Sequence, residues 1–215
     1  MESVKASEAL RQRGLECFYY LAPPENVQSI LEKGILTYTR VRALGIVPRS
    51  SLANEGVQGA RQSIVVFNRS LHSYVPLYLV SSNPTLHDVA KRGLQRAYIR
   101  VRLEVVDKPG VVFADGNAAS KRTNFYRDVP DISKLPWETL MGRRRDASPN
   151  WKRQRCSEVL VPDIVEANFI IDVRCTSPDD IPVHPKYKHL LVSDWRILLH
   201  SVSFESVKPS DLLPD

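Results

Sequence analysis

The sequence predicts one α+β domain dominated by short strands, with a few peripheral helices. Three observations lead there. The chain has 215 residues, 43% of them apolar, which suits a single domain with its own core. Fifteen prolines against nine glycines imply many loops and brief elements. No internal repeat and no low-complexity linker divides residues 1–215.

The elements follow from local pattern. Residues 1–16 are polar and mixed, a short helix or a lead-in. Cys17-Phe18-Tyr19-Tyr20-Leu21, bounded by Pro23-Pro24, reads as a strand. From Glu25 to Lys33, Val27, Ile30 and Leu31 recur at helical spacing, with Pro24 at the start and Gly34 just past the end. Residues 37–62 read as irregular, apart from a short helix starting at Ser51-Leu52-Ala53 and running toward Arg61. Strands are expected at Ile64–Phe67 and Ser73–Val80, the second an edge strand or an interrupted one because of Pro76. Thr85–Arg92 reads as a helix. Gln95–Val106 alternates, with Ala97, Ile99, Val101 and Leu103 on one side and a basic outer face of Arg96, Tyr98, Arg100 and Arg102 on the other. Val111–Ala114 is a further strand, closed by the turn Asp115-Gly116-Asn117. A helix at Trp137–Met141 precedes strands at 157–161, 168–173 and 189–199.

Charge is concentrated. The net charge is +6, and Arg143, Arg144, Arg145, Lys152, Arg153 and Arg155, opposed only by Asp146, supply +5 of it. Such a patch suits a polyanion, or is a solvated basic loop. Three cysteines without metal-type spacing fit a reducing cytoplasm, and five histidines lack paired ligand spacing, so no metal is expected. Neither a secretory leader nor an 18-residue apolar span is expected.

The segment RQRCSEVLVP, residues 153–162, poses the main question. Alternation puts Glu158 on one face with Cys156 and Leu160. A carboxylate among apolar neighbours needs a cation, donors or a ligand. Otherwise the strand is an edge with Glu158 in water or paired with Arg153 or Arg155. Cys156 has cationic neighbours but no ordered histidine partner, so it is a weak candidate nucleophile.

Four blocks give a resemblance. They are Tyr19-Tyr20-Leu21 with Asn26-Val27, Ile30-Leu31 and Gly34-Ile35-Leu36; Ser51-Leu52-Ala53 with Val57-Gln58 and Arg61; Leu71-His72-Ser73-Tyr74-Val75-Pro76-Leu77-Tyr78-Leu79 with Pro84 and Leu86; and Gln154 through Val161. In this order, over residues 17–175, they resemble the DarT group of DNA ADP-ribosyltransferases, bacterial toxins that attach ADP-ribose to DNA bases using NAD⁺. Tyr20 stands where histidine is commoner, and Thr85 replaces a methionine.

The resemblance implies an ADP-ribosyltransferase-like split of short antiparallel strands into two packed sheets. It puts the catalytic carboxylate at Glu158, with Arg61 beside the diphosphate or the target base. It places NAD⁺, the co-substrate, against Tyr20, Ala22, Asn26, Gly34, Leu36, Ser51, Arg61 and Tyr74, the bland alternative for Leu36 and Tyr74 being core packing. Loss of nicotinamide builds positive charge on the sugar, which a carboxylate can stabilise. The basic segment would bring single-stranded DNA to Glu158 through Arg143, Arg144, Arg145, Lys152, Arg153 and Arg155, with Trp151 or Tyr126 stacking on a base. RNA as target, or a non-catalytic nucleic-acid-binding module, are the rival readings. A cognate DarG-like macrodomain antitoxin, a monomeric state and a cytoplasmic location complete the expectation.

Overall fold

The computed structural model describes residues 4–49, 52, 55–142 and 150–194. Helix α1 (Ala6–Gln12) leads into β1 (Phe18–Ala22). A 3-10 turn at Pro24–Asn26 opens α2 (Val27–Lys33), and β2 (Ile35–Leu36) follows at once. Next come α3 (Tyr38–Ala43), α4 (Glu55–Ser63), the hairpin β3 (Val65–Val66) and β4 (Arg69–Ser70), and β5 (Tyr74–Tyr78). Helix α5 (Pro84–Lys91) precedes β6 (Ala97–Val101), a 3-10 segment at Leu103–Asp107, β7 (Val112–Ala114) and β8 (Phe125–Tyr126). Then follow α6 (Trp137–Met141), α7 (Trp151–Arg155), β9 (Glu158–Pro162), β10 (Ile164–Val165), β11 (Ile170–Cys175) and β12 (Leu191–Ser193).

Eight strands form one sheet in the order β12-β11-β6-β1-β5-β9-β7-β8. Its middle is nearly open. β1 pairs with β6 along five residues and β5 pairs with β9 along five, but β1 and β5 meet only at Tyr19 and Tyr78. The expected split into two sheets thus takes the form of two four-stranded halves joined by one residue pair. Pro76 lies on the part of β5 that β1 leaves unpaired, so an interior strand carries a proline without losing a bond on that side. Of the two expectations for Pro76, the interrupted ladder is the one found.

The two faces differ. Phe18, Ile99, Val101, Leu77, Val159, Val161 and Phe113 share the main core with Leu10 of α1 and Val27 and Leu31 of α2. The opposite face holds smaller clusters, one around Tyr74, Val112, Leu160 and Val66, another at Leu86 and Tyr98. Across that face runs a row of paired residues: Asp172, Arg100, Tyr19, Tyr78, Glu158, Ala114 and Phe125.

Two expectations are corrected, and a third is seen in part. The strand at 95–106 ends at Val101 and is interior, so Tyr98 is buried and Arg100 is bound to Asp172 at 2.5 Å rather than lying on a basic outer face. Residues 37–62 hold α3, whose start is set by Thr37, its hydroxyl accepting the Arg40 N–H at 3.2 Å. The expected strand at 189–199 is seen as β12, and residues beyond Asp194 lie outside the described ones.

Gly34 ends α2 with φ of +82°, and a Cβ there would run into the Val165 carbonyl oxygen, with Glu166 Cα at 3.2 Å. β2 pairs with β10 right beside it, so this contact fastens the β1–α2 unit to the strand that follows β9. Gly34→Ala should therefore destabilise the fold by on the order of 2 kcal/mol, read as a lower urea midpoint.

Candidate active site

Glu158 opens β9 and is 3% exposed. Both edges of its strand are occupied, by Tyr78 of β5 and Ala114 of β7, so the carboxylate is not at a sheet edge. Its cation is neither Arg153 nor Arg155 but Arg61, from the last turn of α4, whose Nη1 donates to Oε2 at 3.3 Å. Its other oxygen accepts the Ala118 backbone N–H at 3.4 Å. Arg61 is itself 7% exposed, so each ion needs the other.

Burial pushes the Glu158 carboxyl above its usual range, against the pull of Arg61 and of the Ala118 amide. A carboxyl raised in the fold stabilises it below the ordinary glutamate pKa, and that contribution is lost as pH rises through the raised value. Ionising Glu158 therefore works against stability. The phenol of Tyr78, beside it in the row, is likewise raised by burial and then by Glu158. Burial lifts Tyr20 too, opposed by Arg61.

The Ala118 amide is held by the loop after β7. Asp115 is buried and accepts from Asn124 N at 3.0 Å, Asn124 Nδ2 at 2.8 Å and Arg153 Nη1 at 2.6 Å. Asn117 N donates to Arg153 O at 3.0 Å, and Thr123 Oγ1 donates to Asn117 O at 2.6 Å. Gly116 leaves the space that the Arg153 guanidinium fills. The Asp-Gly-Asn turn was legible in the sequence; its task of aiming an amide at Glu158 was not, because the donor is backbone.

The remaining expected residues divide. Tyr20 is half-buried on β1, Ala22 is buried at its end, and Gly34 and Leu36 flank the turn out of α2. Asn26 accepts the Arg49 N–H at 3.1 Å. These five come from one compact unit beside the opening between the sheet halves. Tyr74 is buried, its hydroxyl donating to Val66 O at 3.3 Å.

Two cations of the basic segment are engaged within the fold. Arg153 is the Asp115 partner. Arg155 caps the end of α6 from its side, donating to Thr139 O and Leu140 O at 2.7 Å each, and to Ser82 O at 2.8 Å. Trp151 is 7% exposed, so its ring is not offered to a base, while Lys152 sits half-buried on the same short helix. Tyr126 lies against the main core. Ser51, Arg143, Arg144 and Arg145 lie outside the described residues. Cys156 is buried, and burial pushes its thiol up to about 12, which leaves no thiolate to attack with. Among the described residues no group of three or more His, Cys, Asp or Glu is placed to hold a metal, and no helix is long and apolar enough to cross a membrane.

Comparison with known proteins places this geometry. The family described as ssDNA thymidine ADP-ribosyltransferase, DarT, matches residues 19–183. The chain belongs to the DarT family. A DNA ADP-ribosyl transferase-DNA ADP-ribosyl glycohydrolase fusion protein of Thermosipho africanus is 31% identical over 157 residues, covering 71% of this chain and 40% of that relative. Thermosipho africanus DarTG, solved in complex with ADP-ribose, superposes with a TM-score of 0.72 at 25% identity, over 85% of this chain and 50% of that one. Thermus sp. 2.9 DarT, solved with ADP-ribosylated ssDNA, gives 0.68 at 18% identity over 91% and 92% of the two chains. The same Thermus protein with NAD⁺ gives 0.61 at 16%, over 90% and 91%. The chain thus spans half or less of its fused relative, and as much as about nine-tenths of the stand-alone DarT structures. The match to the DarT family takes in Tyr20, Arg61, Ala118 and Glu158, and stops ahead of β12.

Asp115→Ala and Arg153→Ala should each destabilise the protein by on the order of 3 kcal/mol, because each strands a nearly buried charge. The double variant should lose clearly less than the two together, as measured by a urea-unfolding double-mutant cycle.

Proposed function

We propose that this chain is an NAD⁺-dependent mono-ADP-ribosyltransferase that modifies a base in single-stranded DNA. One observation carries the reading: a carboxylate buried to 3% exposure, held by one arginine and one backbone amide, beside the line where the sheet halves part. Family membership makes thymidine the expected target.

NAD⁺ brings the ADP-ribosyl group and a nicotinamide that leaves with its bonding electrons. The chain's own residues do the rest. Ionised Glu158 presents fixed negative charge where positive charge grows on the sugar, in surroundings that screen it weakly. The same carboxylate can accept a hydrogen bond from a sugar hydroxyl, or take the proton that the attacking base gives up. Arg61 favours the ionised carboxylate against the effect of burial, and its guanidinium has further N–H groups for a diphosphate or a base oxygen. The β1–α2–β2 unit, with Tyr20, Ala22, Asn26, Gly34 and Leu36, is where the dinucleotide is expected to lie.

The chain is further expected to act as a toxin, countered by a glycohydrolase of the kind named in the fused relative, a macrodomain antitoxin. It needs no metal in this reading.

Incubation with labelled NAD⁺ and separate DNA and RNA oligonucleotides, read by mass spectrometry, tests the proposal. A mass increase of one ADP-ribose on DNA is expected; transfer to RNA alone, or to neither, refutes it. Glu158→Gln keeps the shape and removes the charge, and should lower transfer at least about a thousandfold with the circular-dichroism spectrum unchanged. The pH dependence has a definite sign. Activity needs the ionised form, so kcat/KM should fall as pH drops, and the acidic limb should lie above the ordinary glutamate range.

A further inference from the structure

Trp151, Arg153 and Arg155 are engaged internally, and a different surface of the molecule also has the chemistry of a nucleic-acid contact. The β3–β4 hairpin offers one. Its two-residue turn is Phe67-Asn68, with φ of +48° and +66°. Both angles are positive, as in the tight turns usually built from Asn and Gly. Asn68 suits its place. A bulky aromatic at Phe67 does not, and such strain persists where the side chain has work to do. The ring is 41% exposed and belongs to none of the apolar clusters. Its neighbour Val65 is 66% exposed.

A cation is built against the ring. The Arg127 guanidinium carbon lies 3.9 Å from the Phe67 ring centre, and Arg127 Nη2 donates to Phe67 O at 3.2 Å. Among the described residues no carboxylate pairs with Arg127. The other side of the hairpin is anchored. Val66 is 3% exposed and packs with Tyr74, Leu160 and Ala118, whose amide is the donor to Glu158. The strained tip therefore rises from the same apolar patch that borders the carboxylate.

We infer that Phe67 and Arg127 form a platform for one nucleotide of the single-stranded DNA beside the modified base, the base stacking on Phe67 and a phosphate meeting Arg127. This rests on the DNA reading given above. The chemistry is that of other sequence-tolerant single-strand grooves, an aromatic face and an unneutralised cation side by side.

The test measures binding directly, by fluorescence anisotropy of a short labelled oligothymidylate, together with the KM for DNA in the transfer reaction. Phe67→Asn places in the turn a residue that accepts positive φ, so its thermal midpoint should not fall, yet its affinity for the oligonucleotide should drop about tenfold and its KM rise to match. Phe67→Trp should bind as tightly as the parent. Arg127→Gln should lower the slope of log affinity against log salt by about 0.7. Unchanged affinity in Phe67→Asn, or an unchanged salt slope in Arg127→Gln, overturns the platform. A parent that transfers ADP-ribose to DNA while these variants behave like it sinks the platform alone. A parent that binds the oligonucleotide through these residues but transfers nothing sinks the enzymatic reading alone.

Discussion

Everything at the candidate site depends on how one carboxylate is held in a place that disfavours charge. Water is almost excluded from Glu158, so its ionisation carries a penalty of several kcal/mol unless other groups replace the lost hydration. The fold supplies two replacements from different parts of the chain. Arg61 arrives on a helix 97 residues upstream, and the Ala118 amide comes from a loop 40 residues upstream. Neither is redundant, since a carboxylate has two oxygens and each receives one of them. The arrangement works against stability above the raised carboxyl pKa, which is the opposite of what a purely structural ion pair would do.

The sheet explains how such distant residues meet. A single row of cross-strand pairs passes from Asp172 through Arg100, Tyr19 and Tyr78 to Glu158 and Ala114. Its polar members are handled at each step: Arg100 by Asp172 at 2.8 and 2.5 Å, Glu158 by Arg61. The row crosses the gap between the halves at one point, Tyr19 to Tyr78, and that point lies one strand away from the carboxylate. The opening and the charge are thus consequences of the same register.

Much of this was legible in the sequence where periodicity or punctuation carries the signal. The strand at 17–21, the helix between Pro24 and Gly34, and the placement of Glu158 among apolar neighbours follow from residue spacing alone. Arg61 was found by resemblance, because nothing local marks a helix arginine as the partner of a strand 97 residues away. Two cations of the basic segment have partners that the sequence does not show. Composition shows that Arg153 and Arg155 are cations, but only tertiary packing shows that one faces Asp115 and the other a set of helix-end carbonyls. Phe67 reads in the sequence as the end of a strand, but β3 stops at Val66 and Phe67 turns with positive φ, a property with no trace in the residue type; Phe67-Asn68 does not look like a tight turn until its backbone is seen.

The clasp between Leu36 and Ile164 has a mechanical meaning. The two sheet halves are paired strand to strand at one residue pair, while their side chains share the main core. β2 grows out of the half that carries Tyr20, and β10 out of the half that carries Glu158, and the two are stitched together at Ile35–Val165 and Leu36–Ile164. It is a second strand-to-strand tie between the halves, away from the Tyr19–Tyr78 pair. The spacing of the halves is thereby fixed by the covalent chain and two separate ladders as well as by the shared core.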